Sequence, residues 1–248
     1  MVLSWGRNEV YRGKVGIWED ATIRAPNNAR IHTTLGALLQ SQGESERAFS
    51  HSKRAVELSP DSAESHTNFG IVLMEQGDPQ GAILHHEKAI AINERNPIAY
   101  SNLARALVVN GQPEKALDYY RRALEIRPKD SNILFNYGTA LQALGRFEDA
   151  ATQYRESLKY SPDSFEAHNN LGIVLIALGD LDGAILHFAK VVKLSPGLAF
   201  AHLNLGNALA NRGRNEEAII HLQRALEIQP ELTNAKVRLE SLRKNPAN

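Results

Sequence analysis

Nine histidines are the first residues to weigh for chemistry, because a neutral imidazole is a common metal ligand and proton carrier. Eight of them fall in two series, His32, His66, His168 and His202, and His51, His85, His187 and His221, with His86 beside His85. Within a series the members are 34 residues, or a multiple of 34, apart. If 34 residues make one structural unit, successive members stand about 10 Å from one another. Zinc needs its nitrogens about 2 Å from a shared ion, so neither series is a metal site. Neighbours such as His85 and His86 point different ways on a helix, and no metal or cofactor is expected. There is no cysteine, which removes thiolate ligands, disulfides and a cysteine nucleophile. No HExxH or GxSxG stretch occurs, and the glycines are single and periodic instead of forming a phosphate cradle. Carboxylates such as Glu87, Glu94 and Glu125 fit solvated helix faces, so the chain is not expected to be an enzyme.

A third series has a different chemistry. Asn68, Asn102, Asn136, Asn170 and Asn204 recur at the same interval, with Thr34 in the first place. Asparagine is a mediocre helix former, but its amide donates and accepts at once, which suits it to the backbone of an extended peptide. Neighbouring units stack at about 10 Å, and an extended chain advances about 3.3 Å per residue. One asparagine would then meet about every third residue of a bound segment.

The elements that must hold these series follow from the same period. Gly43, Gly77, Gly111, Gly145, Gly179 and Gly213 are each 34 residues apart, an interval that implies stacked helical hairpins. Leu39, Leu73, Leu107, Leu141, Leu175 and Leu209, joined four residues earlier by Leu35, Phe69, Leu103, Tyr137, Leu171 and Leu205, form the buried stripe of a first helix. The glycine just beyond ends it. Ala48, Ala82, Ala116, Ala150, Ala184 and Ala218 admit a closely packed second helix, which Asp78 and Asp180 cap in two of the units. Pro60, Pro128, Pro162, Pro196 and Pro230 close five units. The second has Glu94 there and Pro97 three residues on, so its second helix is expected to run long or end differently.

The run from Asn170-Leu171-Gly172 through Gly179, Ala184, Phe188 and Pro196 resembles the tetratricopeptide repeat, over 204 of 248 residues. The resemblance implies an all-α, right-handed α-solenoid of six tandem helix-turn-helix repeats, 29–62, 63–96, 97–130, 131–164, 165–198 and 199–232. A helical N-terminal half-repeat would occupy 1–28 and a C-terminal capping helix 233–248. Residues 8–26 look like the second half of a preceding unit, with Trp18, Ala21 and Pro26 in its columns, which suggests a parent chain that extends upstream. The stretch from Trp18-Glu19-Asp20 to Arg30 also resembles the entry into repeats that follow the membrane-spanning part of some bacterial proteins.

In this family first helices line a concave inner surface. The asparagine series resembles the ladder in the repeats of the O-linked N-acetylglucosamine transferases, where side-chain amides hold substrate peptide backbones; the same residues could equally bridge helices within the stack. Inward positions that vary between units, Arg105, Gln142 and Asn207 among them, would set specificity. The inner lysines and arginines with which some members grip acidic chaperone tails are mostly replaced by Thr, Asn, Ser and Glu. The expected function is a protein-interaction scaffold binding an extended peptide or partner helix. Alternatives are a substrate-presenting array cut from a larger glycosyltransferase-like enzyme or membrane-anchored protein, and a self-assembling homo-oligomer. Twenty-eight basic residues balance 28 acidic ones, so no nucleic-acid partner is expected. No stretch reaches the apolar length of a membrane span. The cytoplasm is favoured, with the periplasm or a membrane-anchored parent as alternatives.

Overall fold

The computed structural model describes residues 2–244, and side chains from residue 13 onward. The outer ends of the two expected capping segments, residue 1 and residues 245–248, lie outside the described residues. Among those described there are fourteen α-helices and no strand. They form two compact units, Met1–Pro128 and Lys129–Asn248. Each is an all-α solenoid stack of helix pairs.

The first unit holds α1 (Val2–Arg24), then three pairs: α2 (Ala29–Ser41) with α3 (Ser45–Leu58), α4 (Ala63–Glu75) with α5 (Pro79–Ile92), and α6 (Pro97–Val109) with α7 (Pro113–Ile126). The second holds α8 (Ser131–Ala143) with α9 (Phe147–Tyr160), α10 (Phe165–Ala177) with α11 (Leu181–Leu194), α12 (Ala199–Asn211) with α13 (Asn215–Ile228), and α14 (Thr233–Lys244). Each pair packs on itself, and first helices also touch the next first helix, as α2 touches α4 and α8 touches α10.

One turn repeats six times. Each periodic glycine has φ between 71° and 82°, the left-handed region that other residues enter at a cost. The residue after it donates its N–H to the carbonyl of the leucine column, as Arg146 does to Leu141 and Asp180 to Leu175, both at 2.9 Å, while Gly145 N–H reaches the Gln142 carbonyl at 3.0 Å. This is the Schellman arrangement. The leucines thus fill the core with their side chains and close the turn with their carbonyls. Five first helices start at side-chain caps: Asn28, Ser62, Asn96, Asp130 and Ser164 each accept a backbone N–H from the first turn, whereas α12 starts at Leu198 without one.

Small residues then decide how near the paired helices come. The alanine column is fully buried. Within the first helices Gly138 faces Tyr154 and Gly172 faces Phe188 so closely that a Cβ would lie 2.8 Å and 2.6 Å from the rings. These contacts send the two rings between adjacent first helices, where the candidate site lies.

Two expectations need correction. α5 ends where its counterparts end, with Asn93 N–H on the Ala89 carbonyl at 2.9 Å as Arg127 N–H is on Ala123. Its 14 residues match α3 and α7. The missing proline changes nothing because the stop lies in the turn itself, and Pro97 now opens α6 behind its Asn96 cap. The N-terminal helix begins at Val2 instead of near residue 8. Glu9 stands where the turn glycine would be, so nothing breaks the helix. Its Val15 and Trp18 pack on Leu35, Leu38, Leu39, Ala48 and Phe49.

Gly145→Val places a β-branched residue at φ 71°. It is expected to cost about 1–2 kcal/mol, seen as a lower urea midpoint; an unchanged midpoint would show that the turn does not hold the pair.

Candidate functional site

All five asparagines of the series are half-buried on the first helices, Asn68 and Asn102 in one unit and Asn136, Asn170 and Asn204 in the other. Arg105 is exposed on α6. In the second unit the structure draws several expected residues into one hydrogen-bonded chain. Asn204 Nδ2 donates to Asn169 Oδ1 at 2.8 Å, Asn169 Nδ2 to Asn170 Oδ1 at 3.4 Å, and Asn170 Nδ2 to the Tyr154 hydroxyl at 3.4 Å. The hydroxyl donates to Gln142 Oε1 at 2.8 Å and sits 3.2 Å from Thr139 Oγ1. Every donor points the same way, from α12 through α10 and α9 to α8, so each bond polarises the next. The amides of Asn170 and Asn204 therefore bridge helices, and each also keeps groups to offer a ligand. Burial holds the Tyr154 phenol above its ordinary range, so it stays a donor.

Tyr154 and Asn169 were not anticipated. The signal was present in the column Ser52, His86, Tyr120, Tyr154, Phe188 and Leu222, which mixes polar and apolar types at a buried position. His86 there is fully buried with no partner for either ring nitrogen. Burial first, then Arg105 and His85, push it down to about 3, so it is a neutral packing ring at physiological pH. One helix pair further along, Asn204 and Asn207 line a pocket of about 160 Å³ with Ile173, Ile176 and Phe188. Two larger hollows, about 380 and 420 Å³, lie in the first unit around Lys115 and Tyr119, away from the asparagines.

The two histidine series meet, a juxtaposition that spacing within either series does not reveal. His32 faces His51, His66 faces His85, His168 faces His187 and His202 faces His221, with Nδ1 to Nδ1 distances of 2.8–3.0 Å. The first-helix ring also reaches a proline carbonyl at the end of the preceding turn with Nε2, at 2.9 Å for Pro26 and Pro60, 3.0 Å for Pro162 and 3.3 Å for Pro196. A carbonyl only accepts, so Nε2 carries the proton and Nδ1 of that ring offers a lone pair. The second-helix histidine then donates from its own Nδ1. The ring centroids are 5.0–5.3 Å apart and the planes differ by 28–32°. At these nitrogen distances the rings meet edge to edge, although their planes are nearly parallel. Nitrogens that face each other head-on share a proton; a metal about 2 Å from each would need them turned toward a point off that line.

Each clamp ties two helices and the preceding turn together. In the third helix pair Tyr100 and Tyr119 replace both histidines, with centroids 6.3 Å apart, and in the fourth Leu134 and Gln153 do. Burial, with the facing His66, pushes His85 down to about 4, and burial with His168 does the same to His187. His51 and His221 are lowered by burial first and by their facing histidines second. Among the described residues no group of three or more His, Asp or Glu side chains could hold a metal. No helix among them is long and apolar enough to cross a membrane.

Family models described as tetratricopeptide repeat match residues 18–152, 136–199 and 199–232. A comparison with curated proteins gives no match. Among solved structures, the chain is similar to YrrB, described as a TPR protein with an unusual peptide-binding site, at 25% identity over 76% of this chain and 97% of that one, TM-score 0.65. It also shares the fold of PilW, a type IV pilus biogenesis factor, at 18% identity over 85% and 98% of the two chains, TM-score 0.78. Pseudomonas aeruginosa pilF shares it as well, at 17% identity over 86% and 97%, TM-score 0.75.

The clamps make stability depend on pH. Unfolded histidines bind protons near the ordinary value of 6.5, whereas His85 and His187 resist until about 4. The unfolded state therefore takes up protons first, and the clamps' share of the stability present at neutral pH is lost as pH falls through this window. Melting temperatures are expected to drop across that range. They should drop less in His168→Leu/His187→Gln, which imports the pairing of the fourth helix pair; equal slopes would clear the clamps of this role.

Proposed function

This chain belongs to the tetratricopeptide repeat family, and from that premise we propose that it is a protein-interaction scaffold, not an enzyme, whose first-helix faces bind an extended peptide. The observation that carries the reading is the asparagine held half-buried at one helical position in α4 and α6 of the first unit and in α8, α10 and α12 of the second. A side-chain amide matches the donor and acceptor of a peptide bond without reading its side chain, which is the arrangement used by the asparagine ladder of the O-linked N-acetylglucosamine transferases. Arg105, Gln142 and Asn207 stand in columns whose residue type changes between repeats, although Gln142 is matched by Gln40, and they add the discrimination. The similarity to YrrB supports a peptide ligand.

The hydrogen bonds of Asn170 and Asn204 temper what one substitution does, because each amide both bridges helices and faces outward. Asn136 and Asn170 are the pair to remove together. A displayed random-peptide library selected on the intact chain is expected to yield binders. Asn136→Ala/Asn170→Ala should weaken the best of them about tenfold, as two lost hydrogen bonds of about 0.5–1.5 kcal/mol each require, with the helical signal unchanged. Affinity that survives the double substitution would remove the asparagines from the site.

A further inference from the structure

The six helix pairs are near-copies, so each shows what its neighbour would be with other side chains. Between α8, α9 and α10 the Tyr154 hydroxyl enters the space beside the first helices and bonds Gln142, with Thr139 and Asn170 alongside. One pair on, all but one of these positions change. Phe188 stands for Tyr154, Ile176 for Gln142 and Ile173 for Thr139, while Asn204 repeats Asn170. The hydroxyl is gone and its partners are aliphatic. The pocket of about 160 Å³ opens there.

We propose that this pocket receives one uncharged aliphatic side chain of an extended peptide, whose main chain is held by the amides of Asn204, Asn207 and Asn211; the proposal rests on the peptide-binding reading above and names the residue it selects.

Three observations argue for that occupant. The floor and walls are Phe188, Ile173 and Ile176, and no charged side chain lines the space, so a charged residue would be desolvated without a partner. The volume suits one leucine, isoleucine or methionine side chain, since a cavity of about 150 Å³ holds a single benzene. The rim is asymmetric in a useful way. Asn204 spends Nδ2 on Asn169 and keeps Oδ1 as an acceptor. Asn211 takes a hydrogen bond from Arg238 Nη2 on its Oδ1, at 2.7 Å, and keeps Nδ2 as a donor. An acceptor and a donor two turns apart on α12, about 10.5 Å along the helix, match an N–H and a C=O about three residues apart on an extended chain that runs past the apolar hole. Ile173 is 41% exposed, which leaves this apolar surface accessible from solvent.

The test uses the same displayed random-peptide library on the intact chain. Enriched peptides should share one position restricted to Leu, Ile, Met or Val. Phe188→Tyr/Ile176→Gln grafts in the plug that the preceding helix pair already folds around, and Ile173→Glu charges the exposed edge. Each should lower affinity for the enriched peptides on the order of tenfold to a hundredfold, the value of burying one such side chain, without lowering the melting temperature much. If the graft unfolds, Ile173→Glu alone decides. Peptides enriched with no aliphatic position, or bound equally by both variants, would overturn the pocket and leave peptide binding standing. No enrichment at all would overturn both.

Discussion

The reversal at each left-handed glycine is the constraint on which everything else rests. With φ near 75° the chain leaves a first helix, donates a hydrogen bond back to the leucine carbonyl, and starts the second helix at a fixed angle. The same leucine is buried by its side chain, so turn and core cannot be altered separately. Once the angle is set, the alanine column allows close approach, and the ring facing Gly138 or Gly172 has one direction in which to point. Its position between adjacent first helices follows from the turn, not from any local preference of tyrosine or phenylalanine.

On such a uniform scaffold, differences between one helix pair and the next have to come from the positions that vary. Positions that face each other change together within this one chain: histidine with histidine in four helix pairs, tyrosine with tyrosine in one, leucine with glutamine in another. Paired replacement is expected where two side chains fill one space, because changing either alone leaves a buried polar group without its partner. The ring column behaves differently. Tyr154 and Phe188 differ by one hydroxyl, and with Gln142 and Thr139 replaced by Ile176 and Ile173 a hydrogen-bonded junction gives way to an apolar one.

Helices, turns and stacking order were legible from the chain alone because their causes are local. The 3.6-residue stripe, the glycine at its end and the caps act within a few residues of where they stand. Where a local cause was misread, a local fact corrects it. Glu94 in place of proline did not lengthen α5, since the turn ends that helix whether or not proline follows. The N-terminal helix runs through residue 9 because glutamate there cannot supply the turn. The asparagine positions were legible too, although the hydrogen bonds that tie Asn170 and Asn204 to Tyr154 and Asn169 were not.

The period in the sequence therefore settles which residues share a helix face and how far apart equivalent residues stand. It is silent on which face of a second helix meets which face of the first. That depends on how the pair rotates and tilts as its small residues pack, a property of two surfaces together. Two histidine series that are harmless when each is measured along the stack become four proton-sharing clamps when measured across it. A buried column that holds Ser, His, Tyr, Phe and Leu becomes, at Phe188, the floor of a pocket. Spacing is a local quantity carried by covalent connectivity, whereas juxtaposition is created by packing, and the chemistry of this chain lies in the juxtapositions.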